Sequence, residues 1–209
     1  MMKRARLFVV LFIGIVGFGS IHPANAGKWK PDPGFASLFN GKDLSGWCFR
    51  TKTGKDEMKA GVIVARFDGQ TESNDNGRYS AKKGILTVNF PKGTERLISQ
   101  LYTVDEFPDN FILKLEFRAS KNADSGIFIR KPQLQCRDYL VAGPYKELKH
   151  YKPQDWNLIE VTVTDGIARC TCNGEVLESE LKLPETGPIG LEGDRGQMEY
   201  RHIQIKKLP

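Results

Sequence analysis

The stretch 157–179, NLIEVTVTDGIARCTCNGEVLES, decides the fold class of this 209-residue chain. Apolar and polar residues alternate through positions 159–164, which is the period of a strand that buries one face. The dipeptides Asp165-Gly166 and Asn173-Gly174 stand where two-residue hairpin turns need positive φ angles. The stretch is therefore predicted to form three antiparallel strands joined by tight turns.

The same strand pattern recurs along the chain. Positions 111–118 (FILKLEFR) alternate cleanly between apolar and polar residues, and no window of a dozen residues shows the 3.6-residue period of a capped helix. Further strands are predicted at 62–66, 85–90, 96–102, 125–130, 189–192 and 198–205. The polar segment 68–83 is predicted to be a long exposed loop. Many short antiparallel strands predict an all-β fold, a two-sheet antiparallel β-sandwich or jelly roll.

The first 26 residues have the features of an export signal. Positions 1–6 are cationic, positions 7–21 (LFVVLFIGIVGFGSI) are apolar, and Ala24-Asn25-Ala26 has the small-residue pattern of a cleavage site. An uncleaved membrane anchor would begin in the same way, but a spanning helix needs about 20 apolar residues and this run is shorter. We therefore predict a signal peptide at 1–26, a single secreted or periplasmic domain at 27–209, and no membrane segment after cleavage.

The net charge gives no indication of a nucleic-acid partner. The whole chain carries a formal charge of +6, but Lys3, Arg4 and Arg6 belong to the predicted signal peptide, which has no acidic residue. The mature chain would keep 28 basic residues against 25 acidic ones. So small an excess predicts no surface for binding nucleic acid.

Four cysteines would enter an oxidising compartment after export. Cys170 and Cys172 lie two apart on one face of a predicted strand, a geometry that is poor for a bond between them. Cys48 and Cys136 offer other partners, and the sequence leaves two disulfides and buried thiols as open alternatives. The C-x-C spacing differs from that of zinc and redox motifs, so no metal binding by cysteine is expected.

Common catalytic motifs are absent from the sequence. It has no H-E-x-x-H, G-x-S-x-G or Walker sequence, and the predicted mature chain keeps two histidines, His150 and His202. Carboxylates, arginines and aromatic residues remain. This mixture suits sugars, because aromatic faces stack on pyranose rings and charged side chains bind hydroxyls. Trp47 and Trp156 are expected in the core rather than as sugar platforms.

Three clusters of charged residues are candidates for chemistry. One is the segment DSGIFIR at 124–130, one stands between glycines in the segment LEGDRG at 191–196, and one forms a stripe along the 111–118 strand. The charged members of the first are Asp124 and Arg130, those of the second are Glu192, Asp194 and Arg195, and those of the third are Lys114, Glu116 and Arg118. Each also has a plain structural explanation: a solvated strand end, a charged hairpin tip and cross-strand ion pairs.

The opening segment 34–47, GFASLFNGKDLSGW, closely resembles the start of the 3-keto-disaccharide hydrolase domain family. The resemblance continues in the family's order through FILKLEFR, DSGIFIR, DWN and IGLEGDRGQMEYRHIQI, at positions 111–118, 124–130, 155–157 and 189–205. It spans nearly all of the predicted mature chain. The family implies a jelly roll of the concanavalin A-like lectin and glucanase type, which agrees with the independent strand pattern, and it implies export.

The resemblance implies cleavage of a glycosidic bond in a sugar that is already oxidised at C3. The keto group acidifies C2–H, so a base can form an enolate that expels the C1 substituent, after which water adds back. The implied base is Glu192 or Asp194, and paired carboxylates can divide the roles of base and acid. Arg130 is the implied stabiliser of the enolate oxygen, with a divalent cation as an alternative, and Glu116 is a second polar group. Contacts with the carbohydrate substrate are expected from Arg118, Arg195 and His202.

Two other classes of function remain open on the same fold. One is a non-catalytic carbohydrate-binding module, which would display exposed aromatic side chains on a sheet face. The other is a structural surface protein whose polar stripe is solvated. An enzyme differs from both by placing at least two acidic side chains within reach of one cleft. We expect one hollow to be lined by Glu116, Arg130, Glu192 and Asp194.

Overall fold

The computed structural model describes residues 29–53, 56–90, 98–141 and 143–209. The predicted signal peptide lies outside these residues. Within the described ranges the chain forms fourteen strands and no helix, so none of these residues belongs to a helix that could cross a membrane. The strands pair antiparallel in two sheets. The predicted two-sheet antiparallel β-sandwich of jelly-roll type is confirmed.

In chain order the strands are β1 (Ala36–Ser37), β2 (Trp47–Thr53), β3 (Asp56–Arg66), β4 (Tyr79–Lys82), β5 (Ile85–Val88), β6 (Ser99–Thr103), β7 (Phe111–Ala119), β8 (Gly126–Ile129), β9 (Gln133–Gln135), β10 (Asn157–Thr164), β11 (Ile167–Cys172), β12 (Glu175–Lys182), β13 (Ile189–Gly193) and β14 (Met198–Lys207). Sheet 1 has the order β12-β11-β10-β7-β14-β5-β4, with β1 also paired to β14. Sheet 2 has the order β3-β2-β6-β13-β8-β9.

The stretch 157–179 forms the predicted meander of β10, β11 and the start of β12. Asp165 and Gly166 have φ angles of 50° and 75°, and Asn173 and Gly174 have φ angles of 48° and 86°. Both turns therefore use the left-handed backbone that aspartate, asparagine and glycine tolerate best, and this conformation matches the twist of the strands that they join.

The apolar core lies between the two sheets. Alternate residues of β7, from Phe111 to Ala119, are buried, and the residues between them face outward. Leu101, Ile127 and Leu191 enter the same core from sheet 2. Trp47 is fully buried, as expected, and its indole N–H donates a 3.0 Å hydrogen bond to the carbonyl of Leu38.

Polar contacts also cross this core, and one of them is made by Ser125. The hydroxyl of Ser125, just before β8, donates a 2.7 Å hydrogen bond to the carbonyl of Glu192 on β13. It also lies 3.0 Å from the hydroxyl of Tyr200, which belongs to β14 of sheet 1. Both side chains are buried, so the contact satisfies polar groups that water does not reach.

The prediction of an exposed loop over 68–83 is wrong at its C-terminal end. Residues Tyr79–Lys82 form β4, which pairs with β5 at one end of sheet 1. Tyr79 is fully buried and its hydroxyl donates a 2.9 Å hydrogen bond to the carbonyl of Ser99. The segment is so polar overall that its few buried positions give no strand period. Strands β1, β2 and β9 were also not predicted.

The open alternative for the cysteines is resolved in favour of thiols. All four are free and buried. Burial raises the pKa of the Cys170 and Cys172 thiols to about 12, because a thiolate would lose its hydration in the apolar core. These side chains therefore act as small apolar core residues.

Candidate functional site

The outer face of sheet 2 carries a buried carboxylate near its centre. Leu191 pairs with Leu101 of β6 and Ile127 of β8, and all three point into the core. Because side chains alternate along a strand, Glu192 points to the opposite, outer face. Only 8% of Glu192 is exposed. We call the side chains around it the Glu192 site: Gln100, Tyr102, Phe128, Gln133, Glu192 and Asp194.

Two glycines make room for this site. A Cβ atom on Gly190 would lie 2.6 Å from Cε1 of Tyr102, so the tyrosine ring rests directly against the β13 backbone. Gly126 of β8 leaves the same kind of space for the side chain of Gln133. The rings of Tyr102 and Phe128 lie with their centroids 6.1 Å apart beside Glu192's strand. The glycines therefore let large side chains from neighbouring strands lie flat around the carboxylate.

The electrostatic surroundings of Glu192 favour its neutral form. Burial raises its pKa to about 7, and the negative charges of Asp194 and Asp124 add to the rise. Hydrogen bonds from Gln133 and Gln100 act in the opposite direction, since they stabilise the carboxylate. The Gln133 amide donates to Oε2 of Glu192 at 2.5 Å. The result is a carboxyl group that gains and loses its proton near neutral pH.

Asp194 and Arg195 extend the site beyond the end of β13. Asp194 is buried, and its carbonyl accepts a 2.7 Å hydrogen bond from Nη2 of Arg78. Asp124 lies between two guanidinium groups, 3.1 Å from Nη1 of Arg137 and 3.2 Å from Nη2 of Arg195. The structure thus brings Glu192 and Asp194 together, while half-exposed Arg195 pairs with Asp124, whose charge also acts on Glu192.

Arg130 lies elsewhere and is engaged by the main chain. Its guanidinium donates hydrogen bonds of 2.7 to 2.9 Å to the carbonyls of Phe107, Pro108, Asp109 and Pro184. The strand alternation that predicted Arg130 beside Phe128 stops at Ile129, where β8 ends, and Arg130 has a φ angle of 62°. Arg130 therefore connects the loop at 107–109 to the loop at 184, and it makes no direct contact with Glu192.

Glu116, Arg118 and His202 lie on the outer face of sheet 1, on the other side of the core. Glu116 accepts a 2.5 Å hydrogen bond from Arg201 and lies 3.3 Å from Nδ1 of His202. Burial lowers the pKa of His202 below its ordinary value, although the Glu116 charge acts against that change. Arg118 pairs with Glu199 at 2.5 Å.

Trp156 also lies on the outer face of sheet 1, contrary to the core position expected for it. It is half-buried, and the guanidinium groups of Arg118 and Arg201 lie 4.7 Å and 4.0 Å from its ring centroid. Two guanidinium groups therefore pack on the face of a ring that was predicted to lie in the core.

The single hollow expected to hold Glu116, Arg130, Glu192 and Asp194 is therefore not formed. Sequence periodicity shows which residues share a face of one strand, but it does not show which sheet the strand joins. Glu116 and Glu192 each face away from the core, on strands of different sheets. Their side chains are separated by the full thickness of the sandwich.

Sequence reasoning missed the neutral members of the Glu192 site. Gln100, Tyr102, Phe128 and Gln133 were not chosen, because an uncharged residue in a strand has no motif of its own. One signal was present in Gln133-Leu134-Gln135, where two amides flank a single apolar residue with a strand period. The second signal was Gly126, a glycine inside the strand predicted at 125–130.

Within the residues that the structure describes, no group of three or more histidine, cysteine, aspartate or glutamate side chains is arranged to hold a metal ion. The donor set at the Glu192 site is two buried carboxylates among amides and aromatic rings. A divalent cation, the open alternative to Arg130 as enolate stabiliser, is therefore assigned to none of the described residues.

Residues 34–206 match the family model described as the 3-keto-alpha-glucoside-1,2-lyase-like domain. This confirms the resemblance found in the sequence. No curated protein matches the chain in sequence.

Two solved structures from Parabacteroides distasonis ATCC 8503, each provisionally named a glycosyl hydrolase, share the fold. The first has a TM-score of 0.59 and 17% identity, over 84% of this chain and 95% of its own. The second has a TM-score of 0.51 and 18% identity, over 78% of this chain and 99% of its own. At such identities the likeness concerns the fold alone.

Proposed function

Because the chain belongs to the family of 3-keto-alpha-glucoside-1,2-lyase-like domains, we propose that it cleaves the glycosidic bond of a sugar oxidised at C3, with Glu192 as the catalytic base. The observation that carries this proposal is the buried Glu192 carboxyl, whose pKa is raised to about 7. Catalysis by a base is most effective when its pKa lies near the working pH, because it is then both ionised and basic enough.

The reaction proceeds by elimination and hydration. The Glu192 carboxylate takes the C2 proton, and the electron pair of the C2–H bond moves toward C3 to give an enolate on the former keto oxygen. The enolate collapses, the C1–O bond breaks and a C1–C2 double bond remains. The proton held by Glu192 passes to the leaving oxygen. Water then adds across the double bond, with its oxygen at C1 and its proton at C2, and gives the free 3-keto sugar.

The other residues of the Glu192 site suit a sugar. Tyr102 and Phe128 are buried beside Glu192, and their rings keep water away from the carboxyl group. The pKa of Tyr102 is raised to about 12 by burial and by the Glu192 charge, so its hydroxyl stays protonated and able to donate a hydrogen bond. The amides of Gln100 and Gln133 provide neutral donors for sugar hydroxyls and for the enolate oxygen.

The alternative of a non-catalytic binding module is less well supported. A module that bound sugar at the Glu192 site would expose aromatic rings there, yet Tyr102 and Phe128 are 5% and 1% exposed. A neutral binding surface also gains nothing from a buried acid, because an ionisable group out of water costs free energy that amides avoid. We therefore place catalysis first and binding second.

Export is part of this proposal, since it rests on residues 1–26. The proposed substrate is then an extracellular or periplasmic 3-keto-glycoside. Determining the N-terminal residue of the protein isolated from its native cells tests export: cleavage after Ala26 supports it, and an intact Met1 contradicts it.

The catalytic proposal is tested with a 3-keto-disaccharide and its unoxidised parent in deuterated water. We expect release of 3-keto-glucose from the oxidised sugar alone, with deuterium at C2. Glu192→Gln should lower the rate at least 1000-fold, while Glu116→Gln, which removes a carboxylate on the opposite face, should leave it within twofold. A Glu192→Gln protein that keeps its rate removes this residue from the mechanism. Saturable binding of either sugar without turnover supports the binding module.

A further inference from the structure

A pocket opens in sheet 1, where β14 changes its partner. β14 pairs with β5 through Met198–Tyr200 and then with β1 through Gln204 and Ile205. Between these two partners its register against β7 skips, from Arg201 opposite Glu116 to Gln204 opposite Lys114. The bulge separates the ends of β5 and β1 and leaves a pocket of ≈ 480 Å³.

The bulge turns His202 outward to form one wall of the pocket. His202 has a φ angle of 54°, a left-handed backbone that a residue with a side chain adopts only where its surroundings hold it. Its ring stacks on Trp29, with centroids 4.8 Å apart and planes within 10°. Trp29, Phe39, Ile85 and Pro31 supply the apolar part of the lining.

The charged part of the lining is entirely basic. Lys42, Lys83 and Arg201 line the pocket together with His202, and none of the described lining residues is acidic. Arg201 is already paired with Glu116. The two lysines are exposed, and they carry the charge that a ligand would meet. A nearby acid, Asp43, lies outside the lining and accepts hydrogen bonds from Asn40 and Ser45.

We propose that this pocket is a second saccharide site, specific for a carboxylated pyranose such as a uronate residue. The aromatic and apolar walls suit the C–H face of the ring, and Lys42 and Lys83 suit the carboxylate at its edge. The volume lies within the range of small-molecule sites, roughly 300–1,000 Å³. The inference does not depend on the proposed function, because the pocket lies on the opposite side of the sandwich from Glu192.

The test measures binding of glucuronate, glucose and inorganic phosphate to the whole mature protein by calorimetry and by chemical-shift changes of the Trp29 indole. We expect saturable binding of glucuronate and at least tenfold weaker binding of glucose and phosphate. The double variant Lys42→Gln, Lys83→Gln should weaken glucuronate binding at least tenfold. Lys121→Gln, Lys152→Gln removes the same charge from exposed positions outside the pocket and should leave binding unchanged.

Three outcomes overturn the proposal. If glucuronate does not bind, the pocket is not a saccharide site. If phosphate binds as tightly as glucuronate, the pocket is a simple anion site. If glucose binds as tightly as glucuronate, the lysines do not recognise a carboxylate. Glu192→Gln separates this proposal from the catalytic one, because that variant should lose turnover and still bind glucuronate like the wild type.

Discussion

The side chain of Gln133 occupies the space that a side chain on Gly126 would need, since Cδ of Gln133 lies 2.5 Å from the position of a Cβ atom there. This arrangement across the β8–β9 pair directs the Gln133 amide onto Oε2 of Glu192. The identity of one glycine thus controls a hydrogen bond to the proposed base.

Gly126→Ala is expected to push Gln133 away from Glu192. Loss of a hydrogen bond that stabilises the carboxylate raises the pKa of Glu192 further. The pH profile of kcat/KM, which should rise with pH and level off above about 7, would then shift to higher pH. Gln133→Ala removes the same hydrogen bond without adding a side chain at position 126, and it should also shift the pH profile to higher pH. A profile that stays in place in both variants contradicts this account.

Glu192→Gln is expected to stabilise the protein at alkaline pH. The folded pKa of about 7 exceeds the ordinary glutamate pKa of 4.5, so the native state binds more protons than the unfolded state between these values. Wild-type stability therefore falls as pH rises through that window. Glutamine avoids this cost, which amounts to about 3 kcal/mol above pH 7. Urea unfolding at pH 4.5 and pH 8 should show the gain at pH 8 only. Glu180→Gln, at an exposed position, should show none at either pH.

Arg130→Met should destabilise the fold by at least ~2 kcal/mol, because four main-chain carbonyls lose a charged donor. Activity per folded molecule should stay within about threefold, since losses above that size accompany groups that stabilise the transition state. Arg169→Met, at an exposed position of β11, provides the control for stability. A stable Arg130→Met protein with a 100-fold lower rate would restore the role of enolate stabiliser.

The four thiols are expected to resist modification in the folded protein. Burial raises the pKa of each thiol, and the reactive thiolate is therefore scarce at pH 8. A disulfide reagent should label none of them in the native state within minutes and all four in guanidinium chloride. Fewer than four thiols in the unfolded, unreduced protein would show that a disulfide forms.

The sequence was most informative where turn chemistry and strand period agreed. Asp165-Gly166 and Asn173-Gly174 fixed both turns of the meander, because few other residues tolerate the φ angles that these hairpins need. The alternation of apolar and polar residues alone could not predict β4, because Tyr79 is the single large buried residue of that strand and lies in a polar segment.

The candidate site was predictable only in part. Glu192, Asp194 and Arg195 could be grouped because they are neighbours in the chain. Glu116 could not be excluded from that group, since the pairing of strands into one sheet or the other depends on contacts far apart in sequence. Arg130 was misplaced because its strand ends one residue earlier, at Ile129.

The Ser125 hydroxyl that meets both Tyr200 and the Glu192 carbonyl has a consequence for engineering. It connects sheet 1, which contains the basic pocket, to sheet 2, which contains the proposed base. The contact is buried, so water cannot replace a missing hydrogen-bond partner there. The relative sliding of the two layers is thereby restricted. Grafting either surface onto a related scaffold would require transferring the serine and the tyrosine together with it.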